Sequence, residues 1–278
     1  MTTTSDITTQ LKNIKHFALD MDGTIYNGST LFPFTNNFLN YLKTNGIGYS
    51  FLTNNPSKST ADYLMHLEKM GIPATKEEMY TSAVATINYI KNHYPAIKKL
   101  FILGTPSMVK EFEEAGFIST TDSADDKPDA LVVGFDTSLI YSRLCRAAYW
   151  ASQQLPYFAT NPDWVCPTDQ PNILVDCGSI CACIEGATKR KPDVVIGKPD
   201  PGMLDGIIQK YNLQPNEIAM VGDRIYTDVQ MAKNAGALGI LVLSGEATTT
   251  DVQQATTKPD IVARDLAEIQ EMLAQIKS

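Results

Sequence analysis

The sequence predicts an α/β protein with a Rossmann-like, doubly wound parallel-sheet core and a smaller α/β domain inserted into it. Short apolar runs that are typical of buried strands alternate with longer stretches of helical periodicity, which favours parallel strands joined by helices. The apolar runs fall into two groups, one from the outer parts of the chain and one from its middle third. With 278 residues, the chain has room for one or two domains.

The strands predicted for the core come from the outer parts of the chain, at residues 16–21, 47–52, 194–196, 218–221 and 239–243. Helical patterns lie between them. The pattern at residues 59–70 stops at Gly71, and the pattern at 228–234 stops before Gly236, because glycine readily ends a helix. These segments predict a parallel sheet with helices on both faces.

The middle third predicts an α/β unit of its own, with strands at 100–103, 130–133 and 157–159 and helices at 106–115 and 138–153. A polar, acidic stretch at residues 119–129 is typical of a surface loop. We therefore predict a catalytic core of residues 1–81 and 181–278, with residues 82–180 as the inserted domain.

Composition and charge restrict the partners. The chain is 44% hydrophobic and 19% charged, which is typical of a globular protein, and its formal net charge is −8. This charge disfavours nucleic-acid polymers and anionic membranes. Residues 1–10 do not resemble a secretory signal, and the apolar run at 237–243 is too short to cross a bilayer. We expect a cytoplasmic protein without a membrane partner, and a homodimer is left open.

The five cysteines fit reduced thiols better than a disulfide framework, since their number is odd. Cys177, Cys181 and Cys183 form the tightest group, but they lack the paired C-x-x-C spacing of a zinc site. We predict that these three are buried packing residues, and a redox role for the cysteines is left open.

Polar residues follow several of the predicted strands, at the carboxyl ends where parallel α/β sheets bind ligands. Asp20 and Asp22 follow the first strand and precede a glycine, and Thr53 and Asn54 follow the second. Lys198 follows the strand at 194–196. Each segment alone also fits an ordinary surface turn. Together they predict a site that binds a phosphoryl group, because hydroxyl, amide and ammonium groups donate to its oxygens.

A second pair of carboxylates follows the strand at 218–221, at Asp223 and Asp228. If these groups cluster with Asp20, they repel each other strongly unless a hard cation such as Mg²⁺ lies between them. The sequence therefore predicts a Mg²⁺ site.

The four segments, in this order, resemble the motifs of the haloacid dehalogenase-like hydrolases: D-x-D-G-T, a strand-end Thr, a strand-end Lys and G-D-x-x-x-T-D. Further blocks resemble the NagD-like phosphatase branch (subfamily IIA), namely Leu52-Thr-Asn-Asn, Val132-Val-Gly-Phe-Asp136, Ala159-Thr-Asn-Pro-Asp163, Gly178-Ser-Ile, Ile196-Gly-Lys-Pro and Asn234-Ala-Gly followed by Leu241-Val-Leu-Ser-Gly245. In that branch the inserted domain is an α/β cap that determines substrate specificity.

The resemblance implies a role for each matched residue. Asp20 is the implied nucleophile, which forms an aspartyl-phosphate, and Asp22 is the implied general acid and base. Thr53, Asn54 and Lys198 are implied to bind the substrate phosphate. Mg²⁺ is implied to be bound by Asp20, Asp22 through its carbonyl oxygen, and Asp223, with Asp228 in a supporting position.

The sequence thus predicts a Mg²⁺-dependent phosphatase for a small phosphorylated metabolite. Nucleotide monophosphates, sugar phosphates, phosphoglycolate, pyridoxal phosphate and p-nitrophenyl phosphate are left open as substrates. Asp176-Cys177 replaces a Pro-Gly pair that is common in the branch, which puts a substrate transferred by analogy in doubt. A phosphoacceptor signalling domain, a phosphate-ligand sensor and a dehalogenase are the alternatives.

Residues 163–167 follow the strand at 157–159, and the resemblance implies that they correspond to a loop that faces the active site and contacts the substrate in similar phosphatases. Trp164 and Cys166 are therefore candidate specificity residues. The alternative for Trp164 is packing in the core of the cap.

Overall fold

The computed structural model describes residues 4–168 and 171–277, which form two compact units. The first unit contains Met1–Leu52, His66–Met79 and Lys198–Ser278. The second contains Thr53–Met65 and Tyr80–Gly197. Each unit has its own parallel sheet.

The strands are β1 (His16–Asp20), β2 (Tyr26–Asn27), β3 (Thr30–Leu31), β4 (Gly48–Thr53), β5 (Met79–Thr81), β6 (Lys99–Leu103), β7 (Ile118–Ser119), β8 (Ala130–Val133), β9 (Tyr157–Ala159), β10 (Val165–Cys166), β11 (Leu174–Val175), β12 (Val194–Val195), β13 (Ile218–Gly222), β14 (Leu238–Val242) and β15 (Ile261–Ala263). The helices are α1 (Thr4–Lys12), α2 (Thr35–Thr44), α3 (Thr60–Lys69), α4 (Ser82–His93), α5 (Pro106–Glu114), α6 (Tyr141–Ser152), α7 (Cys177–Thr188), α8 (Gly202–Tyr211), α9 (Gln230–Ala235), α10 (Thr249–Gln254) and α11 (Leu266–Lys277). Short helical turns lie at Lys76–Glu78, Pro215–Glu217 and Ile225–Val229, the last of them π-helical.

The sheet of the first unit has the strand order β15-β14-β13-β1-β4-β5. Strand β1 pairs in parallel with β13 and β4, so that Phe17 lies opposite Ala219 and Tyr49. Every residue of β1, β13 and β14 is buried, as expected for a parallel sheet that is covered on both faces. The strands predicted at 16–21, 47–52, 218–221 and 239–243 are confirmed.

The sheet of the second unit has the strand order β12-β9-β8-β6-β7, with parallel pairing throughout. Strands β6, β8 and β9 confirm the predictions at 100–103, 130–133 and 157–159. The expectation that residues 194–196 belong to the sheet of the outer segments is wrong, because β12 pairs with β9 and places Val194 opposite Phe158. Strands β10 and β11 form a separate antiparallel pair.

Helices α6 and α7 pack together beside the sheet of the second unit, and Cys177 and Cys181 lie in the buried cluster formed there. These two cysteines are packing residues, as predicted, but the prediction for Cys183 is wrong. Cys183 is exposed, because successive positions on a helix point in different directions and Cys183 turns away from the cluster. All five cysteines lie within the described residues, and none of them forms a disulfide bond.

The second unit continues beyond residue 180, since helix α7 packs on α6 and strand β12 is an edge of its sheet. A boundary between residues 180 and 181 falls inside α7. The division into a core of residues 1–81 and 181–278 and a cap of 82–180 stays a prediction.

The helices predicted at 59–70, 106–115 and 138–153 are confirmed as α3, α5 and α6. The pattern predicted at 228–234 begins inside the π-helical turn and continues as α9. Of the loop predicted at 119–129, residues 120–129 contain no helix or strand, but Ser119 is the last residue of strand β7. None of the described helices combines the length and the apolar character that a bilayer crossing requires.

Candidate active site

Strand β1 brings Asp20 to the carboxyl end of a fully buried strand. The chain then turns at Gly23, whose φ of +85° favours glycine. A Cβ atom at this position would also collide with the carboxylate of Asp223. Glycine therefore allows the turn after β1 to approach the second acidic segment closely.

Asp22 lies in this turn with an exposed side chain. Its Oδ1 atom accepts a hydrogen bond from the backbone N–H of Gly28 at 3.1 Å. The carboxylate is thus oriented by one hydrogen bond and remains accessible to solvent. Both properties suit a group that exchanges protons.

Lys198 is a buried cation between two carboxylates. Its ammonium group donates to Asp20, and its Nζ atom lies 2.7 Å from Oδ1 of Asp228. Burial disfavours the charged ammonium, but the two carboxylates outweigh this effect and raise the pKa of Lys198 above its ordinary value. Lys198 therefore remains protonated and fixes the orientation of both carboxylates.

The second acidic segment follows strand β13. Asp228 is buried in the π-helical turn, and its Oδ2 atom accepts the backbone N–H of Arg224 at 3.1 Å. The Oδ2 atom of Asp223 accepts the backbone N–H of Glu246 at 2.7 Å. The other oxygen of Asp223, Oδ1, is buried without a hydrogen-bond partner among the described residues. It is therefore available to a further ligand.

Asp20, Asp223 and Asp228 offer one carboxylate oxygen each within 4.8 Å of one another. Burial, followed by the charges of Asp20 and Asp228, raises the pKa of Asp223 to about 7. Burial also raises the pKa of Asp228 to about 6, although Lys198 opposes the shift. Three carboxylates thus lie near one ammonium group, and their mutual repulsion favours the neutral form of Asp223 when no further cation is present. A hard divalent cation fits this oxygen donor set, and Mg²⁺ is such a cation.

The loop after β14 also lines this site, although none of its residues is among the site residues predicted from the sequence. The Oγ atom of Ser244 donates to the carbonyl oxygen of Gly23 at 2.7 Å. A Cβ atom at Gly245 would collide with the carboxylate of Asp223. Glu246 forms an ion pair with Arg224, with Nε and Oε2 2.8 Å apart. The sequence pattern could have identified this loop as part of the site, because the loop follows an apolar strand as the other site segments do.

Thr53 and Asn54 belong to the second unit. Thr53 ends strand β4. The Oγ1 atom of Thr53 accepts the backbone N–H of Asn55 at 3.1 Å. Asn54 is 9% exposed, and its Nδ2 atom donates to Oδ2 of Asp163 at 2.9 Å.

Trp164 and Cys166 lie in the second unit as well. Trp164 is 64% exposed, so the alternative that it packs in the core of this unit is wrong, and Trp150 lies in that core instead. Cys166 is half-buried, and its sulfur lies 3.8 Å from Nδ2 of Asn55. An exposed indole is available for contact with a ligand.

The structure thus brings four of the predicted site residues into one cluster of the first unit, namely Asp20, Lys198, Asp223 and Asp228. Asp22 lies two residues beyond Asp20 in the same unit, with its carboxylate exposed. The remaining predicted residues, Thr53, Asn54, Trp164 and Cys166, lie in the second unit. Their roles toward a substrate stay predictions.

Two family models match the regions that carry these motifs. Residues 17–118 match a haloacid dehalogenase-like hydrolase model, and residues 195–269 match a model described as HAD-hydrolase-like. An acid sugar phosphatase of Staphylococcus aureus is 31% identical over 258 residues, which are 93% of this chain and 97% of that protein.

Solved structures with the same fold include a 4-nitrophenylphosphatase from Thermotoga maritima, which is 40% identical with a TM-score of 0.89 over 94% of this chain and 98% of that one. NagD from E. coli K-12 is 30% identical with a TM-score of 0.82, over 92% and 98% of the two chains. A glycerol phosphate phosphatase from Mycobacterium tuberculosis in complex with magnesium is 26% identical with a TM-score of 0.85, over 94% and 78%.

The fold is that of the haloacid dehalogenase-like hydrolases, and the chain belongs to this family. Within that family its similarity is to the NagD-like phosphatases. The predicted fold class and the predicted enzyme class, a phosphoric monoester hydrolase, are confirmed.

Proposed function

We propose that this chain is a Mg²⁺-dependent phosphatase that hydrolyses small-molecule phosphomonoesters through an aspartyl-phosphate on Asp20. The observation that carries the proposal is the buried cluster in which Lys198 holds Asp20 beside Asp223 and Asp228. A carboxylate nucleophile must be ionised and held in one orientation, and a buried ammonium group favours both conditions.

The reaction has two steps. In the first, a carboxylate oxygen of Asp20 bonds to phosphorus, the bond from phosphorus to the leaving oxygen breaks, and Asp22 gives its proton to that oxygen. In the second, Asp22 takes a proton from water as the water oxygen bonds to phosphorus. The bond between phosphorus and Asp20 then breaks, which releases inorganic phosphate. The exposure of Asp22 supports its exchange of protons in both steps.

Asp20, Asp223 and the backbone carbonyl oxygen of Asp22 would hold Mg²⁺, with Asp228 supporting the site. When bound, the ion would neutralise negative charge on the transferring phosphoryl group. The buried oxygen of Asp223 that has no hydrogen-bond partner among the described residues supports this assignment, as does the repulsion between the carboxylates of the cluster. The magnesium complex of the related glycerol phosphate phosphatase supports the choice of metal.

Thr53, Asn54 and Lys198 would bind the phosphoryl oxygens. Thr53 and Asn54 offer neutral donors, and Lys198 supplies the positive charge that an acidic chain needs in order to attract an anion.

The substrate class is a small phosphomonoester, such as a sugar phosphate, glycerol phosphate or p-nitrophenyl phosphate. The names of the related acid sugar phosphatase, glycerol phosphate phosphatase and 4-nitrophenylphosphatase support this class. Trp164 and Cys166 would contact the leaving group and select among these esters. The exposure of the Trp164 indole supports this role.

The variant Asp20→Asn tests the nucleophile. An amide supplies no attacking oxyanion, so p-nitrophenyl phosphate hydrolysis in Mg²⁺ should fall by at least about 10³-fold while the circular dichroism spectrum stays unchanged. Acid-quenched wild-type enzyme should carry a phosphoryl group that hydroxylamine releases, and the variant should carry none.

A matched control is Asp205→Asn, which makes the same substitution at an exposed position on helix α8 of the same unit. This control should keep wild-type turnover. Substantial turnover by Asp20→Asn, or a phosphorylated form of that variant, would contradict the mechanism.

A further inference from the structure

Two contacts within the second unit join residues 53–55 to residues 163–166, which we call the 53–55 segment and the 163–166 loop. The Nδ2 atom of Asn54 donates to Oδ2 of Asp163 at 2.9 Å, and the Nδ2 atom of Asn55 lies 3.8 Å from Sγ of Cys166. The segment is anchored in turn, because the Oγ atom of Ser82 donates to the carbonyl oxygen of Asn54 at 2.7 Å. The segment and the loop are therefore parts of one hydrogen-bonded structure.

A buried amide holds Asp163 from its other side. The Nδ2 atom of Asn161 lies 3.4 Å from the same Oδ2 atom of Asp163 and donates to Oδ1 of Asp176 at 3.0 Å. Asn161 is fully buried and Asp176 is 2% exposed. Asp176 also caps helix α7, since its Oδ1 atom accepts the backbone N–H of Cys177 at 2.5 Å. The carboxylate of Asp163 is thus fixed relative to the start of α7.

Backbone hydrogen bonds hold the base of the 163–166 loop against the same helix. The backbone N–H of Gly178 donates to the carbonyl oxygen of Asp163 at 2.8 Å. The carbonyl oxygen of Trp164 accepts the backbone N–H of Asp176 at 3.0 Å and the Oγ of Ser179 at 2.7 Å. The main chain of the loop is therefore held by α7, and the side chain of Asp163 connects the loop to the 53–55 segment.

We propose that Asp163 is a positioning residue that couples the phosphate-binding segment to the specificity loop. This inference rests on the proposed function, in which Thr53 and Asn54 bind the phosphoryl group and Trp164 and Cys166 contact the leaving group. Because a single oxygen of Asp163 accepts from two amides, its loss removes the acceptor that links Asn54 to Asn161 and leaves Asn161 bonded to Asp176 alone among these carboxylates. Phosphate binding and leaving-group selection should therefore change together.

The test compares Asp163→Ala with Asp163→Asn. Two quantities are measured: kcat/KM across a panel of sugar phosphates, glycerol phosphate, nucleotide monophosphates and p-nitrophenyl phosphate, and the inhibition constant of inorganic phosphate. Asp163→Ala removes the shared acceptor, so the order of substrates should change and phosphate should inhibit about tenfold more weakly. Asp163→Asn keeps one acceptor oxygen and should restore both quantities to near their wild-type values.

A change in stability alone would lower the fraction of active enzyme, but it would not alter an inhibition constant or an order of substrates. The control Asp122→Ala removes an aspartate of the same unit that pairs with Arg143, and it should leave both quantities unchanged. If thermal unfolding shows that Asp163→Ala does not fold, Asp163→Glu replaces it. That variant keeps the charge but displaces the acceptor oxygen by one methylene group, and the same two changes are expected.

Wild-type order and wild-type phosphate inhibition in a folded Asp163→Ala or Asp163→Glu variant would overturn the positioning role. The role is also overturned if Asp163→Asn is altered as much as Asp163→Ala. Failure of the wild-type enzyme to hydrolyse any ester of the panel would instead overturn the proposed function. The two failures are therefore distinguishable.

Discussion

The two units carry different kinds of polar chemistry. The first unit gathers buried charges, with the ammonium of Lys198 between the carboxylates of Asp20 and Asp228 and with Asp223 close by. The second unit joins the 53–55 segment to the 163–166 loop through side-chain amides that donate to the carboxylates of Asp163 and Asp176, and through backbone groups. The carboxylates of the first unit face a cation, whereas those of the second unit accept hydrogen bonds from neutral amides.

This difference separates two tasks. In the proposed mechanism, attack on phosphorus and transfer of protons require groups whose charge changes, and the residues proposed for these steps lie in the first unit. Discrimination between leaving groups requires a shape that stays fixed, which the hydrogen-bonded network of the second unit would provide. The chemistry of the first unit should therefore respond to metal and pH, and that of the second unit to changes of shape.

Removal of metal tests this contrast with the largest expected effect. Excess EDTA should abolish hydrolysis of p-nitrophenyl phosphate, because uncompensated carboxylates then repel the anionic substrate, and added Mg²⁺ should restore it. The measurement is initial rate against free Mg²⁺ concentration. Full activity in excess EDTA would show that the acidic cluster serves another purpose.

The variant Asp22→Asn tests the proton-transferring group. Turnover of esters with alcohol leaving groups should fall by about 10²- to 10⁴-fold, since no acid then protonates the leaving oxygen. p-Nitrophenolate leaves without much help, so stopped-flow absorbance should show one rapid equivalent of product before a slow steady state. A uniform loss without this burst would assign Asp22 another role, and Asp205→Asn again serves as the matched control.

The stability of the metal-free protein should depend on pH through the acidic cluster. The pKa of Asp223 is raised from 3.8 to about 7 in the folded protein, so protonated Asp223 contributes stability that is fully present below pH 3.8. This contribution is lost as pH rises through about 7. Asp228, with its pKa raised to about 6, acts in the same direction.

Urea unfolding in EDTA should therefore give a free energy of unfolding that falls as pH rises across this range. Asp223→Asn should flatten the fall, because an amide carries no titrating charge, and Mg²⁺ should flatten it in the wild-type protein. Equal slopes for variant and wild type in EDTA would mean that Asp223 does not titrate as its burial requires.

The sequence predicted the parts of the fold whose strands are long and fully buried. Strands β1, β13 and β14 are continuous apolar runs, and such runs identify the centre of a parallel sheet. Strand β12 has only two residues, and an apolar run this short does not indicate which sheet it joins. The prediction for Cys183 is wrong because the exposure of its side chain depends on how α7 packs against α6.

The acidic site was largely predictable, because the carboxyl ends of parallel strands meet at one edge of a sheet. Asp20 and Asp223 follow neighbouring strands, so their proximity follows from topology. The pairing of Asn54 with Asp163 spans 109 residues and depends on how side chains pack within the second unit. The spacing of residues along the sequence does not predict a contact of this kind. The sequence marks Asp176 only as a departure from a family pattern, and it gives no sign that Asn161 is its partner.

Substitutions of the exposed side chains of the 163–166 loop should have the smallest effect on activity. They also test most directly whether the second unit selects the substrate while the first carries out the reaction. Trp164 is 64% exposed, so Trp164→Ala removes little packing and should leave the free energy of unfolding nearly unchanged. If the loop contacts the leaving group, Trp164→Ala and Cys166→Ala should each shift kcat/KM ratios between esters by about tenfold while p-nitrophenyl phosphate turnover changes much less. Tyr141→Ala removes another highly exposed aromatic ring, on helix α6 of the same unit, and should shift no ratio. A uniform loss across all esters would assign these side chains to the reaction itself, and an unchanged order would remove the loop from substrate selection.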